Sequence, residues 1–152
     1  MFKESFMVTV KKPKEQVFEA LTDFDTFAKA SKGRVTFERV SGKPLKGVGE
    51  TIRIRSDQPA MPGLPEMQEV LCETTAWDPP RRCVRRFDIK DLPTVVGFTL
   101  EDCPGGTRVA VDLQVEPKSV LYKMLMPMLG KKIASEKDKA IAMIQERLDT
   151  TA

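Results

Sequence analysis

The sequence predicts an α+β fold, a seven-stranded antiparallel sheet wrapped around one long C-terminal helix, with two short helices after the first strand. Three observations carry this. A short alternating stretch at the start gives way to a helical pattern within a few residues. Between Gly33 and Val115 the period switches to two, over six segments separated by turn chemistry. After Pro117 the helical period returns and holds from Ser119 to about Asp149.

The first strand is "SFMVTV", where Phe6, Val8 and Val10 alternate with Met7 and Thr9. In "KKPKEQVFEALTDFDTFAKA", Pro13 suits a first helical turn, and Val17, Phe18 and Leu21 form an apolar stripe. Asp23 fits the N-cap of a second short helix carrying Phe24 and Phe27. The six further strands read "RVTFERV", "ETIRIRS", "MQEVLCETTAW", "RCVRRFDI", "VVGFTLED" and "TRVAVDLQV". In the last, Val109, Val111, Leu113 and Val115 oppose Arg108, Ala110, Asp112 and Gln114. One face is therefore wet, as in an antiparallel rather than a parallel sheet. In "EVLCETTAW" the inward set is open between Val70, Cys72 and Ala76 on one side and Leu71, Thr75 and Trp77 on the other. The terminal helix carries an apolar column of Ile133, Ile141, Ile144 and Leu148, with Pro127 and Gly130 predicting a kink and a long helix from about Met128.

The totals exclude several function classes. The 152 residues predict a single domain, 1–152, able to bury about 70 % of its unfolded-chain surface. The 25 basic and 22 acidic residues leave +3, with one Trp and one Tyr, so no nucleic-acid footprint is expected. Three cysteines and no histidine predict neither a disulfide framework nor a metal site, and fit reduced, buried thiols in a cytoplasmic protein. The N-terminus lacks a signal-peptide core, and no apolar run approaches the ~20 residues of a membrane span. No nucleophile motif, catalytic residue or cofactor signature stands out.

The stretch "SDQPAMPGLPEM" behaves differently. Pro59, Pro62 and Pro65 exclude helix or central strand, yet Met61, Leu64 and Met67 are apolar. One helix cannot fill the concave face of a twisted sheet this wide. The space left between sheet and helices predicts a cavity, with this loop as part of its lid.

These residues resemble a known family. "PKEQVFEALTDFDTFAKA" after the first strand, "GVGETIRI", "TAWDPPRR", "GGTRVAVDL" and a proline-kinked terminal helix are similar to the polyketide cyclase/dehydrase-like branch of the START / Bet v 1-like (SRPBCC) superfamily. The resemblance runs over nearly the whole chain. It implies a helix-grip fold with an internal cavity for a lipid, polyketide or similar apolar molecule, held by a carrier, a sensor or an enzyme.

The pocket wall expected on this basis comprises Phe27, Ile54, Met61, Leu64, Met67, Arg85, Phe87, Phe98, Val111, Ile133, Lys137 and Ile141. Lys137 lies four residues after Ile133 and four before Ile141. It is either a snorkelling lysine or an ammonium at the cavity wall, meeting a ligand's acidic group or a buried glutamate. Arg85 shares a strand face with Cys83 and Phe87, and an inward arginine needs a carboxylate, for which Glu69 and Glu73 are candidates. With Arg81, Arg82 and Arg86 it forms a basic hairpin, which either blunts a sheet edge or makes transient contact with a membrane surface. The alternative activity is a cyclase or dehydratase using the same cavity. A third reading has the cavity packed shut. Oligomeric state is not legible.

Overall fold

The computed structural model describes residues 2–25, 35–44, 46–56 and 69–150. Its elements are β1 (Phe2–Val10), α1 (Lys14–Thr22), β2 (Val35–Arg39), β3 (Thr51–Ser56), β4 (Val70–Asp78), β5 (Arg82–Phe87), β6 (Thr94–Cys103), β7 (Gly106–Val115), α2 (Val120–Ser135) and α3 (Lys137–Thr150). The strands form one 7-stranded sheet in the order β1-β7-β6-β5-β4-β3-β2. Every pairing is antiparallel, as the alternation required.

Alternation decides which side chains meet the helices. On β7, Thr107, Val109, Val111, Leu113 and Val115 are buried while Arg108, Asp112 and Gln114 are exposed. On β4 a register shift between Thr74 and Ala76 resolves the open choice of face. Val70, Cys72 and Thr74 point inward, one residue is then inserted, and Trp77, opposite inward Cys83, joins them. The Trp77 ring stands edge-on to Phe18 of α1, with ring centroids 5.1 Å apart.

α1 buries Val17, Phe18, Ala20 and Leu21 against the sheet. Asp23 accepts from the Asp25 backbone N–H at 3.1 Å, so it caps the helical turn begun by Phe24 and Asp25. α2 starts at Ser119, whose hydroxyl accepts from Tyr122 N–H at 3.1 Å.

The expected kink is displaced. α2 runs unbroken through Pro127, whose ring faces solvent, and the break comes at Glu136, with φ −92° and ψ 5°. Gly130 serves packing instead: a Cβ there would stand 2.9 Å from the Phe2 ring, so the missing side chain lets α2 settle on β1. α3 lies over β1 and against α1. The Lys12 ammonium donates to the Leu148 carbonyl, where the helix dipole favours a cation.

Candidate functional site

The concave face of the sheet, with the helices above it, divides into a closed part and a part lined by half-buried rings. Val8, Val10, Val17, Leu21, Val109, Val111, Leu148 and their neighbours form a fully buried core. Phe37, Phe87 and Phe98 from the strands, and Tyr122, Met126 and Ile141 from the helices, pack against that core and stay only partly buried. Large apolar side chains on an inner face are ordinarily covered, so these partly buried rings distinguish this part of the inner face from the closed core.

The sequence-predicted wall divides accordingly. Phe87, Phe98 and Ile141 belong to the partly buried set. Ile54, Val111 and Ile133 point inward but are fully buried core residues. Phe27, Met61, Leu64 and Met67, and with them the expected lid, lie outside the described residues.

Arg85 also points inward, on β5 between Cys83 and Phe87, and is 4 % exposed. Its carboxylate partner is Glu50, at 3.3 Å and itself 3 % exposed, rather than Glu69 or Glu73. Glu69 instead meets Arg53 and Arg55, and Glu73 lies opposite Thr51 and Arg86 in the ladder. The pair is embedded in further bonds. Arg85 Nε donates to Thr74 Oγ1 at 3.2 Å, and its Nη2 donates to the carbonyl of Thr22, the last residue of α1, at 2.8 Å. Arg39 Nη1 reaches the second oxygen of Glu50 at 2.9 Å, and the Arg85 guanidinium stacks 4.1 Å from the Phe24 ring centre. Such a cluster is stable because each charge buried away from water has both an opposite charge and oriented dipoles.

Glu50 escaped the sequence reading, although its signal was present. It precedes Ile52 and Ile54 at a spacing of two, so it shares their buried face. The positive φ of Gly47 and Gly49, +112° and +96°, turns the chain into that position.

Lys137 opens α3 and bonds Glu4 of β1 at 2.7 Å, with exposures of 36 % and 21 %. This hydrogen bond, reinforced by the nearby positive charge, holds the Glu4 carboxyl below the usual glutamate range. The lysine therefore joins α3 to the edge strand at the rim of the inner face, and its ammonium is already engaged.

Two of the three thiols are quiet. Burial pushes the Cys72 thiol up to about 12 and raises Cys83 as well, each against the smaller opposing pull of Arg85. Both stay protonated at neutral pH and offer no nucleophile. The arginine hairpin is partly paired, with Arg82 exposed. Arg81 pairs with Asp78 at 3.2 Å, Arg86 with Asp88 at 3.1 Å, and Arg85 is buried. A groove of about 400 Å³ runs over the opposite, outer face between Lys3, Arg82, Gly97 and Asp112, and most of the side chains along it are charged or polar. Among the described residues, no helix is long and apolar enough to cross a membrane.

Comparison with known proteins adds the following. The model of a family described as polyketide cyclase / dehydrase and lipid transport matches residues 1–149. No curated protein matches the chain. Among solved structures, TTHA0849 from Thermus thermophilus is 18% identical over 99% of both chains, with a TM-score of 0.69. Ara h 8.0201 is 16% identical over 97% of both chains, again with a TM-score of 0.69. PFC0360w, an HSP90 activator from Plasmodium falciparum, is 17% identical over 93% of this chain and 97% of that one, with a TM-score of 0.57. At such identities the likeness establishes the helix-grip fold and leaves the ligand open.

Proposed function

The chain belongs to the polyketide cyclase / dehydrase and lipid transport family, and on that premise we propose that it is a single ligand-binding domain, a carrier or sensor holding a small hydrophobic molecule beneath its C-terminal helices. The observation that carries this is the set of rings left half-open on an otherwise apolar inner face, Phe37, Phe87 and Phe98 beside the closed core. Covering that surface with a lipid-sized molecule would contribute about 25 cal/mol per Å² of apolar area removed from water. The inner-face charges, Arg85 and Glu50, are already bonded to each other and to Arg39, Thr74 and Thr22. They hold the frame and leave recognition chiefly to shape and apolar contact.

The test is a titration with a fluorescent fatty-acid analogue, followed by competition with unlabelled lipids and aromatic polyketides. Saturable binding, weakened roughly tenfold by Phe98→Ser through lost apolar contact with the circular dichroism unchanged, is the expected result. Binding indifferent to Phe98→Ser and Phe87→Ser would overturn the reading.

The family's description also covers cyclisation and dehydration, so an enzyme working on a polyketide-like substrate in the same space is the second reading. The two part on Lys137→Met. In an enzyme relying on that ammonium, turnover is lost; in a carrier, affinity shifts only slightly, because the lysine is bonded to Glu4.

A further inference from the structure

α2 breaks the usual rule for a surface helix. Its inward side, Tyr122, Met126, Leu129 and Ile133, packs on the core. Its outward side is apolar as well: Val120, Leu121, Met124 and Met128 are 74%, 64%, 75% and 70% exposed, and Leu125 is 39% exposed. Positions 121, 124, 125 and 128 follow the spacing of one helical face, so these side chains form a continuous stripe rather than scattered exposures. A helix that is apolar on both sides is a helix with an unshown neighbour.

The charges around the stripe say what kind of neighbour. No acidic residue lies between Glu116 and Glu136, while Lys118, Lys123, Lys131 and Lys132 fall in or beside α2. Lys118 is paired with Glu116. Lys123, Lys131 and Lys132 have no ion pair among the described residues, and all three are exposed. By helical spacing, Lys131 and Lys132 continue the apolar stripe one turn beyond Met128, whereas Lys123 lies round the helix from it, within electrostatic reach of Glu116. In a second copy docked face to face through this helix, Lys131 and Lys132 would meet their own equivalents if the helices ran parallel and the Val120–Leu121 end if they ran antiparallel, and in neither case a carboxylate within α2. A surface with an apolar interior and fixed negative charge at its boundary matches the stripe and its lysines at once.

We propose that the outward face of α2 docks on a bilayer carrying anionic lipid. Leu121, Met124 and Met128 enter the boundary between headgroups and acyl chains, and Lys131 and Lys132 meet the phosphates. The unbranched methionines suit a surface of irregular depth. The docking face rests on α2's own exposure and charge, so it stands whether or not the inner face holds a ligand.

The experiment is flotation of the full chain, without added ligand, with vesicles of phosphatidylcholine and with vesicles of phosphatidylcholine containing phosphatidylglycerol. The protein should float with the anionic vesicles, float far less with the neutral ones, and be released by raised salt. Met124→Glu with Met128→Glu alters only exposed positions, so the thermal melt should be retained while vesicle affinity falls roughly tenfold or more. Met124→Leu with Met128→Leu should keep it. Lys131→Glu with Lys132→Glu should weaken anionic binding alone, by a similar factor. The proposal is overturned if the native chain never floats, or if the glutamate pair floats as well as the native chain. It is equally overturned if light scattering finds a dimer that the glutamate pair dissociates, since the stripe would then belong to a second copy.

Discussion

Two basic residues on the inner side of this molecule each hold a glutamate, and the two pairs have opposite characters. Arg85 and Glu50 lie at 3.3 Å in a dry corner below α1, almost wholly buried and surrounded by Thr74, Thr22 and Arg39. Lys137 and Glu4 are closer, at 2.7 Å, yet sit at the rim where α3 meets the edge strand and water reaches both. Separation alone would rank the lysine pair first. Burial reverses that order, because the cost of losing a partner depends on how far the remaining charge is from water. The arginine pair joins α1 to three strands, whereas the lysine pair trims the seam between α3 and β1.

The sharpest way to break this comparison is Glu50→Ala. It leaves the Arg85 guanidinium buried without its carboxylate and should cost about 3–5 kcal/mol, a fall in Tm of roughly 6–20 °C. Arg85→Met combined with Glu50→Gln removes both charges, so the double variant should be less destabilised than the sum of its parts by about 1–3 kcal/mol. Additive losses in thermal melts would mean that the buried cluster does not act as a unit.

Lys137→Met should cost far less, about 0.2–1 kcal/mol, because both groups of that pair are partly exposed. Its pH dependence has a definite sign. Glu4 is held below its ordinary value in the folded protein. The stabilisation it supplies is therefore fully present above that ordinary value, about pH 4, and is lost as the pH falls through the lower folded value. Urea melts of native protein and Lys137→Met should differ at neutral pH and converge in strong acid. A gap that widens with acid would contradict the assignment.

The smallest effect is a difference in labelling rather than stability. Cys72 is buried in the electrostatic reach of Arg85, and its thiol is pushed up to about 12, so burial outweighs the neighbouring positive charge. Iodoacetamide at neutral pH should leave Cys72 and Cys83 untouched in the native protein and modify the half-buried Cys103. Rapid labelling of Cys72 would show that the arginine corner is as wet as the lysine rim.

The fold was legible because alternation and helical period are local signals that burial on one face imposes on every strand and helix. That signal put Arg85 on one face with Cys83 and Phe87 and turned Val111, Ile133 and Ile144 inward. It does not tell a pocket wall from a closed core, and Val111 and Ile133, expected on the wall, are core residues. It missed whatever depended on contacts distant in sequence. Glu50 comes to Arg85 only because β3 and β5 flank β4, a neighbourhood no strand encodes by itself. Gly130 read as a helix breaker because its reason, the Phe2 ring, lies at the other end of the chain. The face of β4 could not be chosen from the sequence because an inserted residue makes both candidate sets partly right. The apolar loop from Pro59 to Met67, the strongest hint of a cavity in the sequence, falls outside the described residues.

Both ion pairs, on this account, frame a surface whose purpose is apolar: the half-open rings of Phe37, Phe87 and Phe98. Native mass spectrometry of protein purified without detergent or organic solvent, followed by extraction after unfolding, tests that claim most directly. The account predicts a discrete hydrophobic adduct, present on the folded chain or acquired from a lipid and polyketide mixture, and released on unfolding. A bare mass that persists after incubation with that mixture would contradict it.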